Sequence, residues 1–282
     1  MRIPTARRTR PSRTAPAGDA GDPFDLPGGP DAALLLHGLT GSPFEMRHVA
    51  ERLRADGVRC LGPVMPGHGG DPRALQLLSW RDWVEGAAAE LQKLAGARRT
   101  LVVGCSMGAL VACALAHRQP DRVDGLALLA PALELGGAAR LAGLAGATRL
   151  GALLPPVPKI GGSDVRDPEM RRRNPTMPAV PLRAVGELVQ LARHVDRILP
   201  GVAAPALVVA ARHDHTVKLA GARRLARRIG SGPARLLLLP RSYHLVGIDV
   251  ERDEVADAVA GFLETIPAFH GGEEGEAWPR RT

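Results

Sequence analysis

Five short apolar runs, separated by segments with helical patterns, constrain the fold of this chain most strongly. Each run is bounded by turn residues and is too short for a long helix. Strands that are apolar at nearly every position are typical of a parallel sheet covered on both faces. The sequence therefore predicts an α/β fold with a mostly parallel central sheet and helices on both faces. The runs are AALLLHG from residue 32, TLVVGC from 100, VDGLALLAP from 123, PALVVAARHD from 205 and ARLLLLP from 234.

A long segment, residues 134–202, interrupts this alternation. It starts with Gly-Ala-Leu helical patterns, continues with too many prolines for a strand or a long helix, and ends in an amphipathic helix. We interpret it as a small cap insertion over the carboxyl edge of the sheet, because a plain loop of this length is uncommon. Residues 31–133 and 203–266 then form the core. The apolar face of the closing helix consists of Leu188, Leu191, Val195 and Ile198.

The two ends of the chain have the composition of unfolded segments. Residues 1–30 are rich in Pro and Gly, and five arginines without any acid fall within residues 1–18. Such a segment cannot bury enough apolar surface to fold, so we expect a disordered basic extension. Residues 267–282 are expected to form a loose C-terminal tail. Because most of the excess charge of +8 lies in the first tail and aromatic residues make up only 3% of the chain, a nucleic-acid partner is not expected.

Composition excludes several other classes of protein. No apolar run approaches the roughly 20 residues of a membrane-spanning helix. Three scattered cysteines indicate neither a disulfide framework nor a metal cluster, and they favour a reducing compartment. Arg7 and Arg8 are not followed by the apolar stretch of an export signal. We therefore expect a cytoplasmic protein with no stable membrane span, and the sequence does not indicate its oligomeric state.

The pattern Gly104-Cys105-Ser106-Met107-Gly108 lies between a predicted strand and a predicted helix. A serine in this position occupies a tight turn that leaves its hydroxyl exposed, and larger side chains at the two glycine positions would clash with the backbone. This strand, turn and helix arrangement is the nucleophile elbow. It predicts Ser106 as a nucleophile.

A serine hydroxyl needs a base to remove its proton, and histidine is suited to that role at neutral pH. In this type of fold the acid follows the nucleophile along the chain and the histidine comes last. Asp214 follows one predicted strand and His244 follows the next, so both lie at carboxyl ends of strands. His213 and His215 flank the acid, but no second cluster of ligands accompanies them, so a metal site is not expected.

The same chemistry needs two backbone N–H groups directed at one point. One is expected from Met107, which follows the nucleophile at the start of a helix. The other is expected from Leu39 in the loop HGLTGSP after the first strand. Donors of this kind, held away from water, contribute roughly 10²- to 10³-fold each in rate. We interpret His37 and His68 as structural loop residues rather than as a second base.

Several motifs occur together in one order, and they resemble the α/β-hydrolase superfamily. These motifs are HGLTGSP, PGHG, GCSMG, LARHVDRI, ARHDHTV and SYHLVGID, and the similarity runs from about Ala32 to Ile266. Within the superfamily the chain is similar to the small bacterial carboxylesterases and monoacylglycerol lipases. The resemblance implies hydrolysis of carboxylic esters without a cofactor. Its catalytic triad would be Ser106, Asp214 and His244, with Leu39 and Met107 as oxyanion donors.

These observations predict a serine carboxylic ester hydrolase that forms an acyl-enzyme with short- to medium-chain esters, monoacylglycerols among them. An acyltransferase or a thioesterase could use the same triad, and a hydrolase-like binding protein is the alternative outside enzymes. By analogy with the family we expect a preference for acyl chains of about C4 to C10. Most of the apolar surface of the cap is expected to pack on the sheet, and the part that lines a pocket would form an aliphatic acyl site. The leucines that offer this surface are Leu141, Leu144, Leu150, Leu153, Leu154, Leu188 and Leu191.

Overall fold

A seven-stranded sheet organises the molecule, in a computed structural model that describes residues 21–146, 148, 154–159 and 161–267. The strands are β1 (Phe24–Leu26), β2 (Ala32–Leu36), β3 (Arg59–Gly62), β4 (Thr100–Cys105), β5 (Gly125–Leu129), β6 (Val157–Pro158), β7 (Ala179–Val180), β8 (Ala206–Ala211) and β9 (Arg235–Leu239). The helices are α1 (Phe44–Ala55), α2 (Pro72–Gln76), α3 (Trp80–Gln92), α4 (Met107–Arg118), α5 (Gly137–Gly146), α6 (Pro168–Arg173), α7 (Leu182–Ile198), α8 (Leu219–Arg228) and α9 (Arg252–Glu264).

The sheet has the order β1-β3-β2-β4-β5-β8-β9, and every neighbouring pair except β1 and β3 is parallel. All five predicted strands are present. Alternate side chains of β2 point to opposite faces: Leu34 and Leu36 pack with α3 and α4, while Ala33 and Leu35 pack with α1 and α9. The predicted mostly parallel sheet with helices on both faces is confirmed.

Two strands at one edge of the sheet escaped prediction. β3 is only four residues long and contains Arg59 and Gly62, so it lacks a continuous apolar run. β1 falls inside the segment expected to be disordered, and that expectation is wrong from Phe24 onward. The ring of Phe24 is buried over Gly62, where a Cβ would overlap it, and main-chain pairing with β3 adds to this contact. Residues 1–20 and 268–282 lie outside the described residues.

The segment between β5 and β8 contains α5, the two-stranded β6-β7 pair, α6 and α7. The predicted closing helix is α7, with Leu188, Leu191 and Val195 buried. α5 packs on α7 through its glycines, because a Cβ on Gly143 or Gly146 would overlap Val189 or the carbonyl of Leu182. The leucines of α5 consequently face outward.

An ion cluster joins the amino edge of the sheet to the end of α9. Arg99 Nη2 lies 2.6 Å from Asp31 Oδ2, and Arg99 Nη1 donates to the carbonyls of Leu263 and Ile266 at 3.0 and 3.1 Å. Hydrogen bonds from Arg98 and Arg99 lower the pKa of Asp31 to about 2 although burial opposes the shift. The end of the last helix is therefore fixed at the amino edge of the strands.

The described chain begins at the opposite edge of the sheet. Gly21 lies beside Pro175 of the inserted segment and Ser42 of the loop after β2. β1 then runs antiparallel to β3 toward the amino edge. Within the described ranges, no helix combines the length and the apolar character required to cross a bilayer.

Candidate active site

Ser106 occupies the turn between β4 and α4 in a conformation that L-residues rarely adopt, with φ 54° and ψ −109°. A Cβ on Gly104 would overlap the carbonyl of Gly108, and a Cβ on Gly108 would overlap the carbonyl of Leu36. Both glycines are therefore required by close backbone approaches. The N–H of Ser106 donates to the carbonyl of Leu129 at 2.8 Å, which joins the turn to β5.

The structure brings together the three side chains that the sequence singled out. His244 Nε2 lies 2.9 Å from Ser106 Oγ, and His244 Nδ1 lies 2.7 Å from Asp214 Oδ2. The other oxygen of Asp214 accepts hydrogen bonds from the N–H groups of Thr216 and Val217, each at 2.8 Å. Ser106, Asp214 and His244 follow β4, β8 and β9, so the carboxyl ends of three parallel strands assemble the group.

The charges of this group reinforce one another. Burial alone would raise the pKa of Asp214, but the charge and hydrogen bond of His244 and two backbone N–H groups lower it below its usual value. Burial likewise lowers the pKa of His244, and the charge and hydrogen bond of Asp214 more than offset it, so the net shift is upward. An ionised Asp214 keeps the proton of a neutral His244 on Nδ1, which leaves Nε2 free to accept from Ser106.

Two buried carboxylates hold the loop that carries His244, and the sequence reasoning missed both. Asp249 is fully buried and accepts from the N–H of Tyr243 at 2.7 Å and from the N–H groups of Arg166 and Asp167 at 2.9 to 3.0 Å. Glu251 accepts from the N–H of Ser242 at 2.7 Å. Asp249 thus ties the inserted segment to the histidine loop. In the sequence, Asp249 and Glu251 lie between an apolar stretch and the start of a helix. Acidic residues that cap a helix occur in the same position, so this pattern does not identify the two carboxylates.

The loop after β2 lies directly against the serine. A Cβ on Gly38 would be 3.3 Å from Ser106 Cβ, and Leu39 lines the cavity above it. Met107 is the first residue of α4, so its N–H has no acceptor within the helix. Leu39 thus lines the same cavity as Ser106, and Met107 directly follows the serine; the role of their N–H groups as oxyanion donors stays a prediction.

His37 and His68 lie beside this loop, and their contacts stabilise the loops around them rather than the catalytic group. His37 is fully buried and its Nε2 accepts from the N–H of Met65 at 3.0 Å, while burial lowers its pKa to about 3. Burial also lowers the pKa of His68 to about 4, and its ring lies 4.9 Å from that of His37. Both rings are neutral at pH 7. In the described ranges, no group of three or more His, Cys, Asp or Glu side chains could hold a metal ion.

A cavity of about 390 Å³ opens above Ser106 and His244. Its lining combines apolar side chains from α5, α7 and the β6-β7 pair with polar side chains. Of the cap leucines expected to pack in the core or to line a pocket, Leu191 is buried in the core and Leu188 lines the cavity. The expectation is wrong for Leu141, Leu144 and Leu154, which are exposed and lie outside the lining. Leu150 and Leu153 lie outside the described residues. The apolar lining includes Leu135, Ala139, Ala142, Val180, Val185 and Leu188, and the polar lining includes Thr40, Glu45, Lys159, Ser163, Asp164 and Thr216.

Comparison with known proteins identifies the family. The family model described as serine aminopeptidase S33, Hydrolase_4, matches residues 30–251. The chain belongs to this hydrolase family. The match spans every strand from β2 to β9, together with Ser106, Asp214 and His244.

Individual relatives support the same assignment. The chain is 27% identical over 262 residues to a thermostable monoacylglycerol lipase of Bacillus sp. (strain H-257), covering 93% of this chain and 100% of that protein. It is 28% identical over 250 residues to a carboxylesterase of Bacillus subtilis (strain 168), covering 86% and 96%. A solved structure from the metagenome-derived lipolytic enzymes LipS and LipT superposes with a TM-score of 0.80 at 27% identity, covering 87% and 98%. The predicted α/β-hydrolase fold and the prediction of an esterase- or lipase-like enzyme are confirmed.

Proposed function

We propose that this enzyme hydrolyses carboxylic esters through an acyl-enzyme on Ser106. The observation that carries the proposal is the chain of short contacts from Ser106 Oγ to His244 Nε2 and from His244 Nδ1 to Asp214, at the floor of a partly apolar cavity. Two relatives that share nearly the full length of the chain are a monoacylglycerol lipase and a carboxylesterase, which favours an ester over other acyl derivatives.

In the first half of the reaction, Ser106 Oγ bonds to the ester carbonyl carbon while its proton passes to His244 Nε2. The carbonyl oxygen becomes an oxyanion that accepts hydrogen bonds from the N–H groups of Leu39 and Met107. When the intermediate collapses, the bond to the alcohol oxygen breaks and His244 returns the proton to the leaving alcohol. Water then repeats these steps on the acyl-enzyme, which releases the acid and restores Ser106.

The mixed lining of the cavity suits an ester that joins an apolar acyl chain to a polar alcohol. We propose that residues 134–202 act as the cap that completes an acyl site, because this segment supplies most of the apolar lining. The polar lining would face the alcohol. Each methylene buried against the apolar lining contributes up to about 0.8 kcal/mol of binding, so activity should rise from acetate toward medium chains. Monoacylglycerols, which pair an acyl chain with a polar alcohol, fit this mixed lining.

A chain-length panel tests the proposal. Purified enzyme is assayed with p-nitrophenyl esters from acetate to dodecanoate, with monoacylglycerols, and with acyl thioesters in the presence and absence of an acceptor alcohol. We expect hydrolysis that peaks at medium chains. A flat or acetate-only profile would contradict the acyl site, and faster transfer to the added alcohol or faster thioester cleavage would favour the alternative enzymes.

The nucleophile is tested separately. A fluorophosphonate probe should label the peptide that contains Ser106, and Ser106→Ala should abolish both labelling and turnover, with a loss of about 10⁴-fold or more. Ser231→Ala, on an exposed turn, is the matched control. Binding of esters without turnover by the parent protein would instead indicate a hydrolase-like binding protein.

A further inference from the structure

Thr40, which directly follows the predicted oxyanion donor Leu39, has an unusual backbone. Its φ is 61°, a left-handed conformation that β-branched residues rarely adopt, and the residue is buried. Such a conformation persists only where surrounding contacts impose it. Thr40 is joined to Leu39 by one planar peptide unit, so the contacts that fix Thr40 limit how far the Leu39 backbone can move.

Those contacts come from the inserted segment, more than a hundred positions away in the sequence. The carbonyl of Thr40 accepts from the N–H of Met177 and from the hydroxyl of Thr176, each at 2.9 Å. Lys159 Nζ donates to Thr40 Oγ1 at 2.8 Å and also donates to Thr176 Oγ1. We call Thr40, Lys159, Thr176 and Met177 the loop clamp.

The other side of the loop is held by α1. Glu45 is buried and accepts from the N–H of Gly38 at 3.1 Å, and Gly41 has no room for a Cβ because the Glu45 carboxylate occupies that space. The loop from Gly38 to Gly41 is thus enclosed between a helix of the core and the loop clamp. Glu45 holds Gly38, on one side of Leu39, whereas the loop clamp holds Thr40 on the other side.

We propose that Lys159 and Thr176 are positioning residues, which act through Thr40 to hold the Leu39 N–H in the direction required by the oxyanion. The inference rests on the proposed roles of Ser106 and Leu39. It gives the inserted segment a part in the chemical step in addition to binding. Removing either polar group breaks two hydrogen bonds of the loop clamp, one of them to Thr40 itself, and lets the backbone relax away from the strained conformation.

Lys159 also lines the cavity, so it could instead contact the alcohol part of the substrate. The two roles predict different kinetics. A substrate contact present in the ground state changes KM, whereas an oxyanion donor that is misplaced lowers kcat. Thr176 does not line the cavity, so its substitution separates the two roles.

The test uses Thr176→Val, which keeps the shape and removes the hydroxyl, and Lys159→Met, which keeps the length and removes the ammonium group. Thr176→Ser is the conservative rescue. Thr265→Val, at the end of α9, and Lys93→Met, in an exposed ion pair with Glu90, are the matched controls. Each variant is measured for kcat and KM with p-nitrophenyl butyrate, for inhibition by a butyl trifluoromethyl ketone, and for thermal unfolding. The ketone forms a tetrahedral oxyanion with Ser106 and so reports on the same donors.

We expect Thr176→Val and Lys159→Met each to lower kcat by about 10- to 100-fold with KM near the parent value, as for a small misplacement of a catalytic group. Ketone affinity should fall by the same factor as kcat/KM, and Thr176→Ser should restore both. Parent values of kcat and ketone affinity in Thr176→Val would overturn the inference, as would a change confined to KM in Lys159→Met. If Lys159→Met does not fold, the comparison of Thr176→Val with Thr176→Ser tests the inference on its own. Labelling of Ser106 by the fluorophosphonate probe in the parent enzyme shows that such a result does not come from a failure of the proposed function.

Discussion

Asp214 Oδ2 lies 2.7 Å from His244 Nδ1, and the two side chains are only 4% and 7% exposed. The carboxylate therefore acts on the imidazole with little screening by water. Asp214→Asn replaces it with an amide that can donate to Nδ1 and hold the proton on Nε2, where the ring cannot accept from Ser106. We expect kcat to fall by about 10⁴-fold with the fold intact. Steady-state turnover of p-nitrophenyl butyrate checks this, with Asp121→Asn on an exposed turn as the control; residual activity above a few per cent would contradict the role of Asp214.

The same contact sets the pH dependence. His244 must be neutral to act as a base, and its pKa is raised above the ordinary value of about 6.5, so kcat/KM should rise with pH through a midpoint above that value. The sequence alone predicted a rise between about pH 6 and 7.5, from an unshifted histidine. The structure moves the expected midpoint upward because a negative charge favours the protonated ring.

A second charge tests the origin of this midpoint. Asp164 also raises the pKa of His244, so Asp164→Asn should move the midpoint down. Asp253→Asn, 86% exposed on α9, should leave it in place. The measurement is kcat/KM from about pH 5 to 9 for the parent and both variants. A midpoint at or below about 6.5 in the parent, or an unchanged one in Asp164→Asn, would be inconsistent with these electrostatics.

Gly108 has no space for a side chain, since a Cβ would overlap the carbonyl of Leu36. Gly108→Ala should therefore push α4 away from β2, destabilise the protein by about 1–3 kcal/mol and displace the Met107 N–H. Gly261→Ala, on the exposed face of α9 with open space around it, should instead stabilise the protein by up to about 1 kcal/mol. Urea unfolding gives the free energy of unfolding of both variants, and esterase turnover gives their kcat. Equal stabilities for the two variants would contradict the close approach.

Ala142 belongs to the apolar lining of the cavity, whereas Leu141 on the same helix is 69% exposed. Ala142→Phe should fill the space for the distal acyl carbons and lower the ratio of octanoate to butyrate turnover, by about tenfold if roughly two methylenes lose their burial. Leu141→Phe adds a ring to the opposite side and should keep the parent ratio. Separate measurements of kcat/KM with the two p-nitrophenyl esters give the ratio. A parent-like ratio in Ala142→Phe would exclude this cavity as the acyl site.

Local patterns were sufficient to predict the central strands and the three side chains at their ends. β4 and β8 are buried at every position because both of their faces are covered, and Ser106 and Asp214 follow them closely. His244 follows β9, an edge strand that its run of leucines predicts although Arg235 is exposed. The edge strand β1 gave no local signal, since its stability comes from pairing with β3 and from one buried ring, Phe24.

The inserted segment was harder to predict because its first helix packs through glycines and not through its leucines. α5 contacts α7 through Gly143 and Gly146, so Leu141 and Leu144 face outward although they are the largest apolar residues of that helix. The sequence also did not predict the contacts among Thr40, Lys159 and Thr176. Their contacts join residues 119 and 136 positions apart, and neither spacing nor composition indicates such pairs.

The described chain begins beside Pro175 and ends where Arg99 holds the carbonyls of Leu263 and Ile266, at opposite edges of the sheet. In a variant shortened to residues 21–267, the two ends would therefore differ as places of attachment. A surface linker joined after residue 267 departs from the edge remote from the cavity mouth, so an immobilised enzyme would present that mouth to the solution. A linker joined just before residue 21 would instead bring the support close to the inserted segment and restrict the approach of large substrates.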